Sequence, residues 1–295
     1  MNYKSALKIK KSTLLGLLVP GIAIYLFIII VPLCLSFYYS LTDWTGGPIK
    51  HFIGFDNYHE LLGDSLFWKS FKNNMTIVFL TLVIQMGLAF LLTVLFMSKA
   101  MRMKEFHRTV IFFPVVLSAV VVGFIWQMMY SNDYGILNAV LRSLGMGDAI
   151  QAWLDDPKIV IYSVAAPLIW QYLGIPLIIF QSAVQGISKE IYETCELDGC
   201  TGIRKALYIT FPLIFDTIKV VIMLSIASNM LVFSHIYVLT GGGPGTSSMV
   251  LAQYAYNTSF TSMRLGYGST VTMGIFVLSF GLVLIFKKLA EVKQR

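Results

Sequence analysis

The chain is short of charge. Asp, Glu, Lys and Arg make up 13% of its 295 residues, about half the share usual in soluble domains, and this excludes an ordinary water-exposed globule. It is short of cysteine as well. Cys34 lies in an apolar run, and Cys195 and Cys200 lie in a polar one. No disulfide framework follows, and with no neighbouring histidine or zinc spacing the latter two read as packing residues. The four histidines (His51, His59, His107, His235) make no i, i+4 metal pair, and no HExxH or Ser-His-Asp set is visible. An enzyme reading and a metal site therefore have no support. The glycine-rich run Gly241–Ser248 lacks the Gly-Lys-Ser/Thr ending that holds phosphates and magnesium. ATP hydrolysis is not expected on this chain, so any energy its work needs would come from a partner or an ion gradient. No internal repeat or low-complexity linker divides the sequence, and a single domain is expected.

What is present is apolar length. Hydrophobic residues make up 57% of the chain, and the mean hydropathy is +0.74. Apolar runs of about twenty residues recur, each long enough to cross a bilayer. Backbone polar groups in lipid must be satisfied within helices, so the expected fold is an all-α polytopic bundle. Six spans are expected, at about 14–39, 74–98, 109–130, 159–185, 213–239 and 269–286. The first is too long for a signal core and closes on no small-residue cleavage pattern, so it reads as an uncleaved span behind a tail at 1–13. Pro167, Gly174 and Pro176 predict a kink in the fourth. Sixteen of the 22 Lys and Arg fall in the N-terminal tail, the 99–108 loop, the 187–212 stretch with Lys219, and the C-terminal tail. The three other connecting segments hold eight of the 15 acids. The positive-inside rule then places both termini and the 187–212 stretch in the cytoplasm, and it accounts for the net charge of +7 without nucleic acid.

Residues 187–212 are too long and too polar for a bare loop between spans. Glu190, Glu193 and Glu196 recur every three residues, which aligns them on one helical stripe. Gly199 fits the helix end, where a positive φ is cheap only for glycine. Ile203, Leu207 and Ile209 form a second apolar edge closed by Pro212, so two short helices around a turn are expected. The register Glu193-Thr194-Cys195, Gly199, Ile209, Phe211-Pro212 resembles the EAA–Gly–Ile–Leu-Pro pattern of ABC importer permeases. Thr and Cys replace the two alanines, and Phe replaces the leucine. The resemblance implies that 187–212 is the coupling loop docked on an ATPase, with Glu190, Glu193, Glu196, Asp198, Gly199 and Arg204 as its working residues.

Polar residues also recur inside the spans. Gln171, Gly174, Gln181, Ser182 and Gln185 fall within an arc of about 100° on a continuous helix, and Ser225, Ser228, Asn229 and His235 within about 120°. Side chains of this kind face the bundle interior or a water-filled path, or they only tie helix to helix. Tyr172, Phe233 and Tyr237 accompany them. Neutral amides and hydroxyls beside aromatic faces suit a sugar better than an ion. Gln171, Tyr172, Gln181, Ser225, Ser228, Asn229, Phe233 and Tyr237 are the expected substrate path. His235 reads as a hydrogen-bonded packing residue.

The resemblance extends over nearly the whole chain. The segments Ser40–Trp44, Phe52–Tyr58, Phe112–Asn138 and Leu239–Ser248 are similar to sugar-importer permeases of the ABC superfamily, and more narrowly to the maltose-type first permease subunit without its large insertion. It implies a type I importer in the bacterial cytoplasmic membrane, with one permease domain over 14–295. The implied partners are a second homologous permease, two ATPase subunits that hold the ATP and magnesium, and an extracytoplasmic binding protein delivering an oligosaccharide or glycoside. This chain would carry no cofactor, and Gly241, Gly242, Gly243 and Pro244 would meet the binding protein. A permease for another small polar solute and a stand-alone secondary carrier remain the alternatives.

Overall fold

The computed structural model describes residues 11–98 and 101–292, with the side chains of 13–98 and 101–291. The basic residues Lys4, Lys8, Lys10, Lys99, Lys293 and Arg295, used above for orientation, lie outside the described residues. Among the described residues there is no strand, only one bridge between Thr42 and Phe52. The helices are α1 (Thr13–Ser40), α2 (Asp56–Gly63), α3 (Ser65–Met97), α4 (Lys104–Val116), α5 (Ala119–Met129), α6 (Ile136–Ser143) and α7 (Val160–Tyr172). They continue as α8 (Gly174–Gln185), α9 (Lys189–Leu197), α10 (Gly202–Leu213), α11 (Phe215–Met230), α12 (Ser234–Leu239), α13 (Leu251–Tyr256) and α14 (Leu265–Glu291).

Three of these, α1, α3 and α14, are long and apolar enough to cross a membrane unbroken. Two further expected spans are bent pairs, α4 with α5 at 101° and α7 with α8 at 43°. The second of these bends is the kink expected in the fourth span; the first was not expected. A third bent pair, α10 with α11 at 73°, covers residues 202–230, and counting each pair as one allows up to six spans by length and composition. The fifth span was expected at 213–239, which falls on α11 and α12 instead, while α10 lies in the 187–212 stretch. Proline marks each break, because it removes a backbone donor from the turn it enters. Pro114 lies in the last turn of α4, where Leu117 N–H reaches back only to the Pro114 carbonyl. Ser118 is extended and its hydroxyl accepts from Val121 N–H, starting α5 in a new direction. Pro167 cannot donate to the Ser163 carbonyl, and Tyr130 Oη–H donates to it instead at 2.8 Å. At the α7–α8 bend Gly174 lets helices meet closely: a Cβ there would lie 2.9 Å from the Phe112 Cα and 3.2 Å from the Ile111 carbonyl oxygen.

The described chain divides into two compact units. One takes in the chain up to Gly63 together with Ala255–Gly274. Its centre is the Ser40–Trp44 segment. Asn57 Nδ2–H₂ donates to the Ser40 and Thr42 carbonyls, Gly266 N–H donates to the Trp44 carbonyl, and Asp43 Oδ1 accepts from His51 N–H. Arg264 makes a bidentate pair with Glu60 at 2.6–2.7 Å. The second unit takes in Asp64–Tyr254 and the chain from Ile275. Asp64 caps α3 by accepting from Leu66 and Phe67 N–H. Two apolar clusters fill this unit. One is centred on Ile77, Val164, Leu168 and Ile236, the other on Ala89, Leu177, Phe180 and Ile214.

Candidate functional site

A cleft of about 440 Å³ opens in the second unit among α3, α7, α8, α11 and α12. Its polar wall comes from Thr81 and Gln85 on α3, Tyr172 on α7, Ser225, Ser228 and Asn229 on α11, and Ser234 and His235 on α12. Leu168, Ile175, Ile179, Val221 and Phe233 supply much of the apolar wall. Among the described residues no Asp, Glu, Lys or Arg lines it. Asn229 is the fixed point of the polar side. Its Nδ2–H₂ donates to the Ser225 carbonyl at 2.8 Å, and to Ser225 Oγ and Thr81 Oγ1 at 3.2 Å each. That leaves Asn229 Oδ1, the Ser225 hydroxyl and Gln85 to bond a guest, and Ser228 Oγ, whose proton goes to the Leu224 carbonyl, can still accept. The cleft can therefore hold a neutral polyhydroxylated solute, and it offers an ion no countercharge.

Five of the eight expected path residues, Tyr172, Ser225, Ser228, Asn229 and Phe233, meet on this wall. Three do not. Gln171 is buried between helices: Nε2–H₂ donates to the Leu117 carbonyl at 2.8 Å, and Oε1 lies 2.5 Å from His235 Nε2. Gln181 faces a separate pocket beside Lys104 and Glu105, where its Oε1 accepts from Arg108 Nε at 2.9 Å. Tyr237 is exposed and stacks on Phe233 at 5.2 Å. The angular argument treated α7 and α8 as one straight helix, and the 43° bend turns Gln171 and Gln181 away from a common face. Sequence reasoning missed Thr81, Gln85 and Ser234, and it placed His235 on the polar stripe but read it as a packing residue. The spacing of Thr81 and Gln85, four apart in an otherwise apolar run, was the available signal.

Residues 187–212 form the expected helix pair. α9 and α10 flank a turn in which Gly199 has φ +73° and Gly202 φ +57°. The unit has its own small core. Cys195 is buried and donates to the Cys200 carbonyl at 3.0 Å, Lys205 Nζ pairs with Glu196 at 2.8 Å, and Lys205 lies over the Tyr192 ring. Glu190, Glu193, Glu196, Asp198, Gly199 and Arg204 are all exposed. Leu197 is 89% and Ile203 76% exposed. Two large apolar side chains thus stand exposed beside these charges on a short helix pair.

With this geometry in view, comparison with known proteins settles the family. The profile described as "Binding-protein-dependent transport system inner membrane component" matches residues 85–288. The chain belongs to that family. A probable ABC transporter permease protein of Bacillus subtilis (YurN) is 32% identical to this permease over 92% of the chain and 93% of its own length. A diacetylchitobiose uptake system permease protein of Streptomyces coelicolor (NgcF) is 30% identical over 89% and 77%. The fold is similar to a chain of a bacterial ABC transporter involved in import of the acidic polysaccharide alginate, with TM-score 0.83, 22% identity and 97% of each chain covered.

In this permease the glycine loop is tightly held. Gly241, Gly242 and Gly245 have positive φ, and the Gly243–Pro244 peptide is cis. Ser248 Oγ–H donates to the Gly243 carbonyl, Thr240 Oγ1 accepts from Gly242 N–H, and Lys69 Nζ donates to Thr246 Oγ1. Asn73 Nδ2–H₂ donates to the Ser247 and Met249 carbonyls. Gly242 is buried, whereas Gly241 and Gly245 are exposed.

Burial, helped by the bond to Cys200, pushes the Cys195 thiol up to about 11. The side chain thus stays a neutral thiol until pH approaches 11, and only the thiolate attacks a maleimide. At pH 8 the folded permease is expected to leave Cys195 unmodified, and denatured permease is expected to be modified there. Peptide mass mapping of both samples checks this. Equal modification of folded and denatured protein would mean that α9 and α10 do not pack as described.

Proposed function

We propose that this permease is the membrane subunit of an ATP-driven importer that carries a sugar, an oligosaccharide or a glycoside, from a binding protein into the cytoplasm. The observation that carries the substrate class is the cleft, whose wall combines neutral hydrogen-bonding groups with Tyr172 and Phe233 and holds no charged side chain. Sugar hydroxyls donate and accept at once, and their C–H faces pack on aromatic rings. Family membership supports the binding protein as a partner. The charge distribution supports cytoplasmic termini and a cytoplasmic α9–α10 pair, which puts the exposed residues Glu190, Glu193, Glu196, Asp198 and Arg204 within reach of an ATPase. In this reading residues 14–295 act as one permease domain in the bacterial cytoplasmic membrane, beside a second homologous permease. ATP and magnesium sit on two ATPase subunits, and Gly241–Pro244 meets the binding protein.

The test is affinity purification of the tagged permease from its host with mass spectrometry of its companions. The purified assembly is then reconstituted and assayed for uptake with a panel of labelled sugars. An ATPase, a second permease and ATP-dependent uptake of one of the sugars are expected. Asn229→Leu removes the group that organises Thr81 and Ser225, and it is expected to lower uptake about tenfold or more while the companions still co-purify. Permease recovered alone, or an assembly that takes up amino acids and no sugar, would overturn the proposal.

A further inference from the structure

Three of the helix breaks are joined by one chain of hydrogen bonds. The Leu117 carbonyl ends α4 at the first bend. Gln171 lies in the last turn of α7, just before the second. His235 opens α12, after α11 has ended at Leu231. Gln171 spans the gap, with Nε2 at 2.8 Å from Leu117 O and Oε1 at 2.5 Å from His235 Nε2.

The direction of every bond in this chain follows from chemistry. A carbonyl oxygen only accepts, so Leu117 fixes the amide of Gln171 with Nε2 toward it. The amide oxygen must then face His235, and an amide oxygen also only accepts. His235 Nε2 must therefore carry the proton. In a neutral imidazole the other nitrogen is then a bare acceptor. No carboxylate lines the cleft to pair an imidazolium. His235 is 2% exposed, Gln171 is 1% exposed, and Tyr172 packs edge-on against the imidazole at 5.7 Å, so the ring has little freedom to flip. Nδ1 has no partner among the described residues, and His235 lines the cleft that Gln171 does not reach.

We propose that His235 presents Nδ1 to the cleft as a fixed acceptor for a solute hydroxyl, and that Gln171, anchored on the Leu117 carbonyl, is the positioning residue that selects this tautomer. The inference deepens the sugar reading and rests on the cleft holding the solute. It adds a requirement on the substrate. The hydroxyl that meets His235 must donate, so a deoxy or O-methyl analogue at that position is rejected, because the acceptor would stay buried and unpaired.

The test uses the whole assembly in nanodiscs with ¹⁵N-histidine in the permease, whose four histidines make the spectrum simple. Signals that vanish in His235→Gln identify the residue. A protonated Nε2 and a bare Nδ1 are expected, with a tautomer mixture in Gln171→Leu. Glycerol, the smallest polyol with the same chemistry, is the probe. It is expected to shift Nδ1, and 1,2-dimethoxyethane, which offers acceptors only, is not. Protonated Nδ1, or an Nδ1 signal indifferent to glycerol, would overturn the inference.

For transport, His235→Gln keeps an amide donor toward Gln171 but lacks the bare ring nitrogen. It is expected to raise the uptake KM about tenfold, the size of one lost hydrogen bond. An unchanged KM in His235→Gln, with Asn229→Leu impaired, would sink the role of His235 and spare the sugar reading. Full uptake by Asn229→Leu would instead sink the cleft as the solute site.

Discussion

Asn74→Leu is expected to unfold the permease more readily than any surface change of equal size. Asn74 is fully buried on α3, and its amide serves three backbone groups at once. Nδ2–H₂ donates to the Asn229 carbonyl at 2.8 Å and, more weakly, to that of Met230 at 3.4 Å. Oδ1 accepts from Leu251 N–H at 2.8 Å, an orphan donor at the start of α13. One side chain thus ties the end of α11 and the beginning of α13 to the middle of the bundle. Leucine fits the volume but leaves these groups without partners where water does not reach. The cost is about 2–4 kcal/mol, and the thermal midpoint in detergent is expected to fall on the order of 5–10 °C. Asn73→Leu is the comparison. Asn73 also holds two loop carbonyls, but it is only half-buried, so water can replace it and its midpoint should fall less than half as far. Equal midpoints for the two variants would show that the buried amide carries no special share of the stability.

Glu193→Lys is expected to do the reverse, leaving the fold intact and stopping transport. Glu193 is exposed on α9 and makes no ion pair among the described residues, unlike Glu196, which Lys205 holds. Reversing its charge should move the thermal midpoint little, since surface changes away from caps and pairs stay within about 0.5 kcal/mol. At the proposed ATPase interface the same reversal replaces an attraction by a repulsion. Loss of an interfacial charge pair costs about 2–5 kcal/mol, so ATP-dependent uptake should fall at least thirtyfold. Uptake and recovery of the ATPase with the permease are measured together. Full uptake by the variant would remove Glu193 from the coupling surface. Lost uptake with a lowered midpoint would place its role within the permease itself.

The two variants divide along the line between what could be read from residues and what could not. The helix pair that carries Glu193 was legible because its motif is local. The spacing of Glu193 to Gly199, Ile209 and Pro212 lies within one helix pair, and the Gly199 turn has the positive φ that such a spacing requires. The apolar runs were legible for a similar reason, since bilayer thickness sets the length of a span whatever surrounds it. Asn74 was not legible. Its three partners lie some 155 to 177 residues away, and nothing near it distinguishes it from Asn73. The polar stripes were half legible. Three of the five residues on the cleft, Ser225, Ser228 and Asn229, meet there because one unbroken helix, α11, carries them. Gln171 and Gln181 part company because α7 and α8 are not collinear.

His235 shows the limit most plainly. Alone in the sequence it read as a packing residue, and its Nε2 does bond within the fold. Its other nitrogen takes on meaning only because Gln171 and Leu117, 64 and 54 positions apart along the two links, fix which atom carries the proton. The sequence by itself determined the all-helical class, the expected number of spans and the helix pair at 187–212, because hydropathy and short-range spacing act within one helix or one turn. Only the tertiary structure decided which spans besides the fourth bend, which polar side chains reach a common cleft, and which are used up in holding helices together. Those outcomes depend on hydrogen bonds between distant segments, which neither composition nor periodicity records.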